Sequence, residues 1–600
     1  MGSIACPATI DITTPTTVPY WALLERELLR AQAVACEHFF DHYFDERGYL
    51  LCYPRWGGDD GPDDAAENLL NWPILHALGA SDVVRDLYRQ GWEGHLRQYT
   101  EAKTVEVPMA RDGMYYKEFP VMFDWFHHGE SYAVIVLQGL SEPDDRKLRE
   151  RMQRYSGFYM GEDPQAPNWD PEHKIIRSMM NGSRGPMLRK ATGLDWAGDP
   201  FEVEGRFRLG HGEHTYQQVV EHFKDYNDVV GDHPLNLGAT SMAFCAYALT
   251  GMEKYRDWAL EYIDAWAERS AANGGLIPTN IGLDGTIGGE VDGKWYGGVY
   301  GWGFSVIDPA TGEVAHRPGF QSRCAYGFGN GLLLSGDMRY VDVWRTVIHK
   351  VRENAQEIDG QLQYPYSYGD EGWYNWQPHP FAHGAMEIYY WSMDPEDRKL
   401  IPAHEASATT GDEQPSYPNH WLDFLEGSRP DYAAEALAFD LERVRRKMEL
   451  MRADTSTPDT RLSDDMNHMN PATTDALIQL MLGGLPTGRT GYPLHCRVRY
   501  FDPERRRAGL PEDVAALVER MTADETTLQL VNINQTEART LIVQGGAYGE
   551  HQIESVTLDD QTVAVDARTF ALTLAPGAGA CLSLRMKRYA NLPSLAFPWA

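Results

Sequence analysis

Positive charge is in short supply. Lys and Arg number 54 against 87 Asp and Glu in 600 residues, a formal net charge of −33, so no long electrostatic footprint on nucleic acid or an anionic membrane is expected. Cysteine is sparse too: Cys6, Cys36, Cys52, Cys245, Cys324, Cys496 and Cys581 are scattered and never in CxxC spacing, which reads as reduced core thiols and not as a disulfide framework or zinc site. No apolar run approaches the roughly 18 residues that span a bilayer. Residues 1–19 show no basic segment followed by an apolar one, so the expected location is cytoplasmic. HExxH and the alternating ligand order of an EF-hand are also absent.

Aromatics are plentiful: Trp 17, Tyr 32 and Phe 20 make 12% of the chain, beside 56 Gly. Rings and flexible turns suit a substrate with flat apolar C–H faces, sugars above all, although a large core filled with rings explains the same counts.

A helical hairpin recurs. Apolar stretches end at Leu-Gly, Thr-Gly or a similar break, and a polar amphipathic helix follows: HALGASDVVRDLY from His76, VLQGLSEPDDRKLRERM from Val136, ALTGMEKYRDWALEY from Ala248, LLLSGDMRYVDVWRTV from Leu332 and YYWSMDPEDRKL from Tyr389. LMLGGLPTG from Leu480 keeps only the turn. Glycine accommodates the left-handed C′ position, and the acidic or hydroxyl residue after it caps the next helix. The upstream stretches (65–78, 122–140, 237–250, 321–335, 381–391, 471–482) carry few charges, as enclosed helices do, whereas the others (21–44, 83–101, 144–159, 255–272, 340–356, 432–452) carry a charged face. Six inner and six outer helices predict a mainly α protein built as an (α/α)6 barrel; an open solenoid would have more equal repeats. After Asp524 the texture turns to short apolar/polar alternations such as TTLQLVNIN and TFALTLAP, the period of strands. The expected organisation is an N-terminal arm over 1–19, a barrel over 20–523 with long inserted loops at 161–234 and 273–320, and a small antiparallel β-domain with a tail over 524–600.

This order of elements, with the stretches WGGDDGPDDAAENLLNWP, DWFHHGE and GGLIPTNIGLDGTIGGEVDGKWYGGVYGWGF, resembles the six-hairpin (α/α)6-barrel carbohydrate-active enzymes, a superfamily of glycoside hydrolases and polysaccharide lyases, over about residues 20–590. The resemblance implies a sugar substrate and an active site where loops enter one end of the barrel. It does not select the reaction.

Two loops hold the candidate chemistry. In 280–304, Asp284 and Glu290 flank a Gly-rich turn and precede Lys294, Trp295, Tyr296 and Trp302; paired carboxylates beside aromatic platforms are what glycoside hydrolysis needs, though an Asp there also caps turns. In 211–236, His211, Tyr226 and His233 lie just before an inner helix. Neutral His and Tyr are the groups that move protons in a β-elimination, with Asn181 and Arg184 available to hold a substrate carboxylate. His128 and Glu130 open the second inner helix, Trp373, Trp376 and His379 precede the fifth, and Asn467 and His468 precede the last, all as substrate-binding candidates. No cofactor is expected; for Asp59, Asp60, Asp63 and Asp64 a structural divalent cation and a helix N-terminal cap both stand.

The favoured function is acid/base hydrolysis of a glycosidic bond in a uronic-acid-containing oligosaccharide, with Glu290, Asp284 and Tyr296 in the chemistry. The alternative is a lyase using Tyr226, His233 and His211. A sugar epimerase or isomerase and a non-catalytic sugar-binding protein stand behind these. The expected partner is an oligosaccharide, with no nucleic acid and no membrane, and self-association into a homo-oligomer is left open.

Overall fold

The computed structural model describes residues 7–54, 61–102, 115–116, 119–120, 125–182, 185–189, 229–297, 325–402, 418–488 and 491–599. Helices fill the first four-fifths: α1 (Tyr20–Tyr43), α2 (Pro62–Glu67), α3 (Trp72–Leu78), α4 (Asp82–Glu101), α5 (Trp125–Val136), α6 (Gln138–Ser141), α7 (Arg146–Tyr159), α8 (Ala239–Thr250), α9 (Glu253–Ala272), α10 (Ala325–Ser335), α11 (Arg339–Arg352), α12 (Ala385–Ser392), α13 (Pro418–Leu425), α14 (Tyr432–Ala453) and α15 (Asp475–Leu482).

Composition separates the two helix types as expected. Every residue of α8 from Ala239 to Leu249 is buried, as are all of α3 and Ala476–Leu482 of α15. In α11 the buried residues are Tyr340, Val341, Trp344, Val347, Ile348 and Val351, one stripe at three- and four-residue spacing, and the remaining face is charged. Each large side chain fully buried this way contributes roughly 1.5–3 kcal/mol. The turns follow the sequence signal: α8 stops at Gly251, φ 68°, whose N–H returns to the Tyr247 carbonyl. In the fifth hairpin Met393 occupies that left-handed position at φ 56°, a conformation costly for a side chain with a Cβ.

Neighbouring pairs stack in chain order: α3 with α4, α8 with α7, α9 and α10, α10 with α11, and α11 with α12. The first pair also meets the last. α1 packs along α14, and Tyr43 Oη donates to Asp454 Oδ2 at 2.9 Å. The Thr473 N–H donates to Gln32 Oε1 at 2.6 Å, and Trp72 Nε1 to Asn470 Oδ1 at 3.0 Å.

Two five-stranded sheets close the chain. The first runs β1 (Thr9–Ile12), β12 (Thr569–Leu574), β9 (Arg539–Gly545), β5 (Val498–Asp502), β6 (Arg507–Ala508); the second runs β7 (Val514–Met521), β8 (Glu525–Asn532), β13 (Gly579–Lys587), β10 (Gln552–Leu558), β11 (Gln561–Ala567). Their pairings are antiparallel except that β1 joins β12 in parallel, with Ile10 opposite Leu572 and Ile12 opposite Leu574. The strands therefore start at Val498, ahead of the change of texture at Asp524, and part of the N-terminal arm is a strand. The reason is burial: all of β5 and the first five residues of β7 are buried on both faces, so they show no alternation. A further hairpin, β2 (Gln356–Ile358), β3 (Gln361–Gly369) and β4 (Gly372–Gln377), lies between α11 and α12.

Sheets and helices are joined by Arg507, whose Nη2 donates to the His76 and Ala80 carbonyls at 2.9 and 2.6 Å. Among the described residues no helix is long and apolar enough to cross a membrane. Cys36, Cys52, Cys245 and Cys496 are buried and Cys581 is exposed.

Candidate active site

The segment before α8 is organised by one carboxylate. Asp232 is fully buried and accepts from Ile176 N (3.2 Å), His233 N (2.9 Å), Asn236 Nδ2 (2.8 Å) and Tyr262 Oη (2.9 and 3.0 Å). Burial lifts its carboxyl from 3.8 to about 6, against the pull of Arg269 and of the donors. With every lone pair engaged, Asp232 ties α9, the loop at Ile176 and the lead-in to α8 together. His233 caps that lead-in, its Nδ1 accepting from Leu235 N at 3.2 Å, while its ring is partly exposed.

Beside this anchor lies a buried polar lining. Asn181 and Asn236 both donate through Nδ2 to the Ser178 carbonyl, at 2.8 and 3.3 Å. Asn330 of α10 donates to Thr240 Oγ1 and Ser241 Oγ in the first turn of α8, at 2.9 and 3.1 Å. In each of these three amides Oδ1 has no hydrogen-bond partner among the described residues. Orphaned acceptors in an apolar surround are costly, and a ligand hydroxyl would satisfy them.

At the first turns of α10 and α12 a tyrosine meets a carboxylate. Tyr326 Oη donates to Glu387 Oε1 at 3.1 Å, and the Tyr326 ring stacks on Tyr492 with centroids 4.2 Å apart. Burial raises the Glu387 carboxyl above the usual carboxylate range. Burial, then the Glu387 charge, raises the Tyr326 phenol well above its own, so it is no base near neutrality. Sequence reasoning missed this pair. The signal was present: a lone carboxylate in the apolar run AMEIYYWS is out of place unless it has a partner or a task.

The loop acids are tied into their own turn. Asp284 accepts from Thr286 N (3.0 Å) and Thr286 Oγ1 (2.6 Å), which hold its carboxyl below the usual range, and Glu290 Oε1 accepts from Leu283 N at 2.9 Å. Both are exposed and engaged in shaping their own loop. Asp284, held ionised by Thr286, is poorly suited to give up a proton.

Two aromatic segments far apart in sequence come together. Lys294 Nζ pairs with Asp370 at 2.8 Å, and Tyr296 Oη donates to the same carboxylate at 2.5 Å, which moves the phenol up to about 12. Tyr368 links Trp295 (4.9 Å between centroids) to Trp373 (5.0 Å). Trp376 lies on the opposite face of the hairpin, three residues from Trp373 in an unbroken register that sets it opposite Pro365 while Trp373 is opposite Tyr368. His379 and His468 are exposed. Asn467 Nδ2 donates to Glu67 Oε2 at 3.0 Å, joining α2 to the loop before α15, and Glu130 sits partly buried on α5. Asp63 and Asp64 fall in the first turn of α2; among the described residues no group of three or more His, Cys, Asp or Glu is placed to hold a metal ion. His211, Tyr226, Arg184 and Trp302, the side chain of His128, and Asp59 and Asp60 lie outside the described residues.

Comparison with known proteins adds three structural likenesses. A cellobiose 2-epimerase of Bacillus thermoamylovorans matches at TM-score 0.33 and 10% identity, covering 60% of this chain and 81% of that one. An α-1,6-mannanase of Salegentibacter, in complex with α-1,6-mannotetrose, matches at 0.31 and 11%, covering 76% and 99%. A β-L-arabinofuranosidase of Geobacillus stearothermophilus matches at 0.31 and 12%, covering 92% and 76%. All three are carbohydrate-active enzymes, the class that the sequence resembles; at TM-scores this low the likeness decides nothing about the reaction here. No curated protein matches the chain. The model of the domain of unknown function DUF8034 matches residues 9–363 and 335–478, and the chain belongs to that family.

Proposed function

We propose that this protein hydrolyses a glycosidic bond in a short oligosaccharide, inside a closed (α/α)6 barrel, with Glu387 as the proton donor. The observation that carries the reading is the partly buried Glu387 carboxyl, raised by desolvation and hydrogen-bonded by Tyr326 at the first turns of two adjoining apolar helices. A carboxyl raised by desolvation above its ordinary range is better suited than a solvated one to protonate a leaving glycosidic oxygen. Tyr326 Oη orients it and stabilises the carboxylate left behind. The orphan amide oxygens of Asn181, Asn236 and Asn330 are acceptors for sugar hydroxyls, and the Trp295, Tyr368 and Trp373 rings offer a stacking surface. Glu67, Glu290 and Asp284 are the carboxylates to test as the partner base. The net charge of −33 favours a short substrate over a long polyanion. Contact of α1 with α14 supports ring closure.

The test is release of reducing ends from a panel of neutral and uronic-acid oligosaccharides. Glu387→Gln, which keeps the shape and loses the proton, should lower kcat by about 10²–10⁴ with KM little changed. Unimpaired turnover by this variant sinks the assignment of Glu387, and ultraviolet absorbance of an unsaturated uronate in the product would mean elimination in place of hydrolysis.

A further inference from the structure

Tyr326 is backed by a segment from outside the helical hairpins. Between α15 and β5 the chain passes through residues 491–497, all of them buried, and is tied to the end of α15: Leu485 N donates to the His495 carbonyl at 2.9 Å and Arg497 N to the Leu482 carbonyl at 3.0 Å. From the turn between β9 and β10, Tyr548 Oη accepts from Leu494 N at 2.9 Å. That turn is fastened in its own right to α8, where the Tyr548 ring meets Phe244 edge-on at 4.7 Å.

The segment sets two rings against α10 and α12. Tyr492 lies flat on Tyr326, with centroids 4.2 Å apart and planes 6° from parallel. His495 Nδ1 accepts from Trp391 Nε1 at 3.1 Å, and Trp391 stands one turn beyond Glu387 on the same helix. Tyr326 meets the Trp391 ring edge-on at 6.0 Å, and the Trp391 and His495 centroids are 5.3 Å apart. The approach is close because Gly329 of α10 has no side chain: a Cβ there would stand 2.6 Å from Trp391 Cζ2 and 3.3 Å from His495 Nε2. The helix bearing Tyr326, the helix bearing Glu387 and the segment 491–497 therefore meet through direct contacts of one ring cluster.

A tyrosine at the first turn of a helix has more than one rotamer open to it, and confining it to one costs conformational entropy. A stacked partner supplies the restraint before substrate arrives, so that Tyr326 Oη already stands 3.1 Å from Glu387 Oε1. The gain falls on the transition state. As Glu387 passes its proton to the leaving oxygen and the glycosidic C–O bond breaks, negative charge builds on the carboxylate and the bond from Tyr326 strengthens. We propose, resting on the hydrolytic reading above, that Tyr492 is a positioning residue: it aims Tyr326 at Glu387, and through it the segment leading into the β-sheets completes a site built on the helices.

Among the described residues the titratable groups that act on Tyr326 are Glu387 and Tyr492, and the one that acts on Glu387 is Tyr326. His495, the next ring, is pulled down to about 3 by burial and then by Arg588, so it is neutral near pH 7. The Tyr326 bond lowers the Glu387 carboxyl against the larger lift from burial, and loss of its aim raises that carboxyl further. In the full-length Tyr492→Leu variant the alkaline limb of the kcat profile, where the acid loses its proton, should therefore move to higher pH, and kcat should fall about 3–10-fold with KM little changed. Tyr326→Phe should move the limb the same way, the double variant no further than Tyr326→Phe alone, and Tyr492→Phe, which keeps the ring, should restore the wild-type limb. Tyr492→Met fills the same space should Tyr492→Leu fail to fold. A crystal structure of the variant needs no activity: Tyr326 Oη should leave hydrogen-bond distance of Glu387. A lower kcat with an unmoved limb, or a Tyr326–Glu387 bond intact in that crystal, overturns the proposal. Full turnover by Glu387→Gln sinks the hydrolytic reading instead, and the crystal structure then decides by itself whether Tyr492 positions Tyr326.

Discussion

Replacing Asp232 by Asn tests whether that carboxylate is a charge kept in the core against the cost of its desolvation. The side chain is fully buried, and its carboxyl moves from 3.8 to about 6 on folding. A raised folded pKa means that the folded chain binds the proton more tightly than the unfolded one. Its contribution to stability is complete below about pH 3.8 and is lost as pH rises through 6. A shift of this size is worth about 3 kcal/mol. Asn cannot titrate, so the difference in stability between wild type and Asp232→Asn should grow in favour of wild type by about 3 kcal/mol between pH 7 and pH 4. At ~2.1 cal/mol/K per residue over 600 residues, that is a relative change in Tm of ~2 °C, within reach of scanning calorimetry. At any pH the Asn variant starts lower, because its Nδ2 is set against donors that the carboxylate accepts, at about 1–3 kcal/mol for each donor left unsatisfied. Tyr262→Phe is the companion, since it removes one hydroxyl that reaches both carboxylate oxygens. A wild-type minus Asn difference that is flat with pH, or that widens toward alkaline pH, refutes the reasoning: hydrogen bonding would then outweigh burial and the carboxyl would not be raised.

Three other substitutions probe separate features. A Cβ at position 94 would overlap the Gly48 carbonyl where the loop after α1 lies on α4, so Gly94→Ala should cost about 1–3 kcal/mol in urea unfolding. Ile12→Ala, at a 2% exposed position opposite Leu574, should cost about 2–5 kcal/mol if β1 is an integral strand, and an unchanged Tm would mean that it is not. Asp370→Ala frees Lys294 and Tyr296 at a half-exposed ion pair, so stability should change by less than about 1 kcal/mol. The same variant should raise KM for the oligosaccharide, because the ring platform loses its tie; an unaltered KM would remove that platform from the substrate site.

Much of the helical frame was legible because each hairpin is local. The run from Leu237 to Thr250 lacks charge all round, the run from Tyr340 has one apolar stripe, and the turns at Gly79, Gly251, Gly336 and Met393 each use one left-handed residue, whereas the second hairpin turns at Glu142 without one. The β3–β4 hairpin carries a period-two signal in Tyr364, Tyr366 and Tyr368, which the reading of strands only after Asp524 passed over. β5 and the start of β7 were not legible, since strands buried on both faces show no apolar/polar alternation, and β5 takes Arg499 and Asp502 into the interior as well. Among site residues, the sequence drew attention to the exposed loop acids Asp284 and Glu290, which a Gly-rich context makes conspicuous. It passed over Glu387, hidden among apolar neighbours.

The sequence by itself determined which stretches are helical, which of them are enclosed, and that the chain finishes in strands, because those properties depend on residues within a few positions of one another; it did not show that 65–78 and 122–140 each fold as two helices, or that Gln356 begins a strand. Tertiary structure decided what the titratable groups are for. Asp232 became an anchor through Tyr262 and Asn236, Glu387 a raised acid through desolvation against the pull of Tyr326, and Lys294 a tether through Asp370. Each outcome depends on burial and on a partner brought close by the fold, and neither desolvation nor a hydrogen bond across the molecule is written in local spacing.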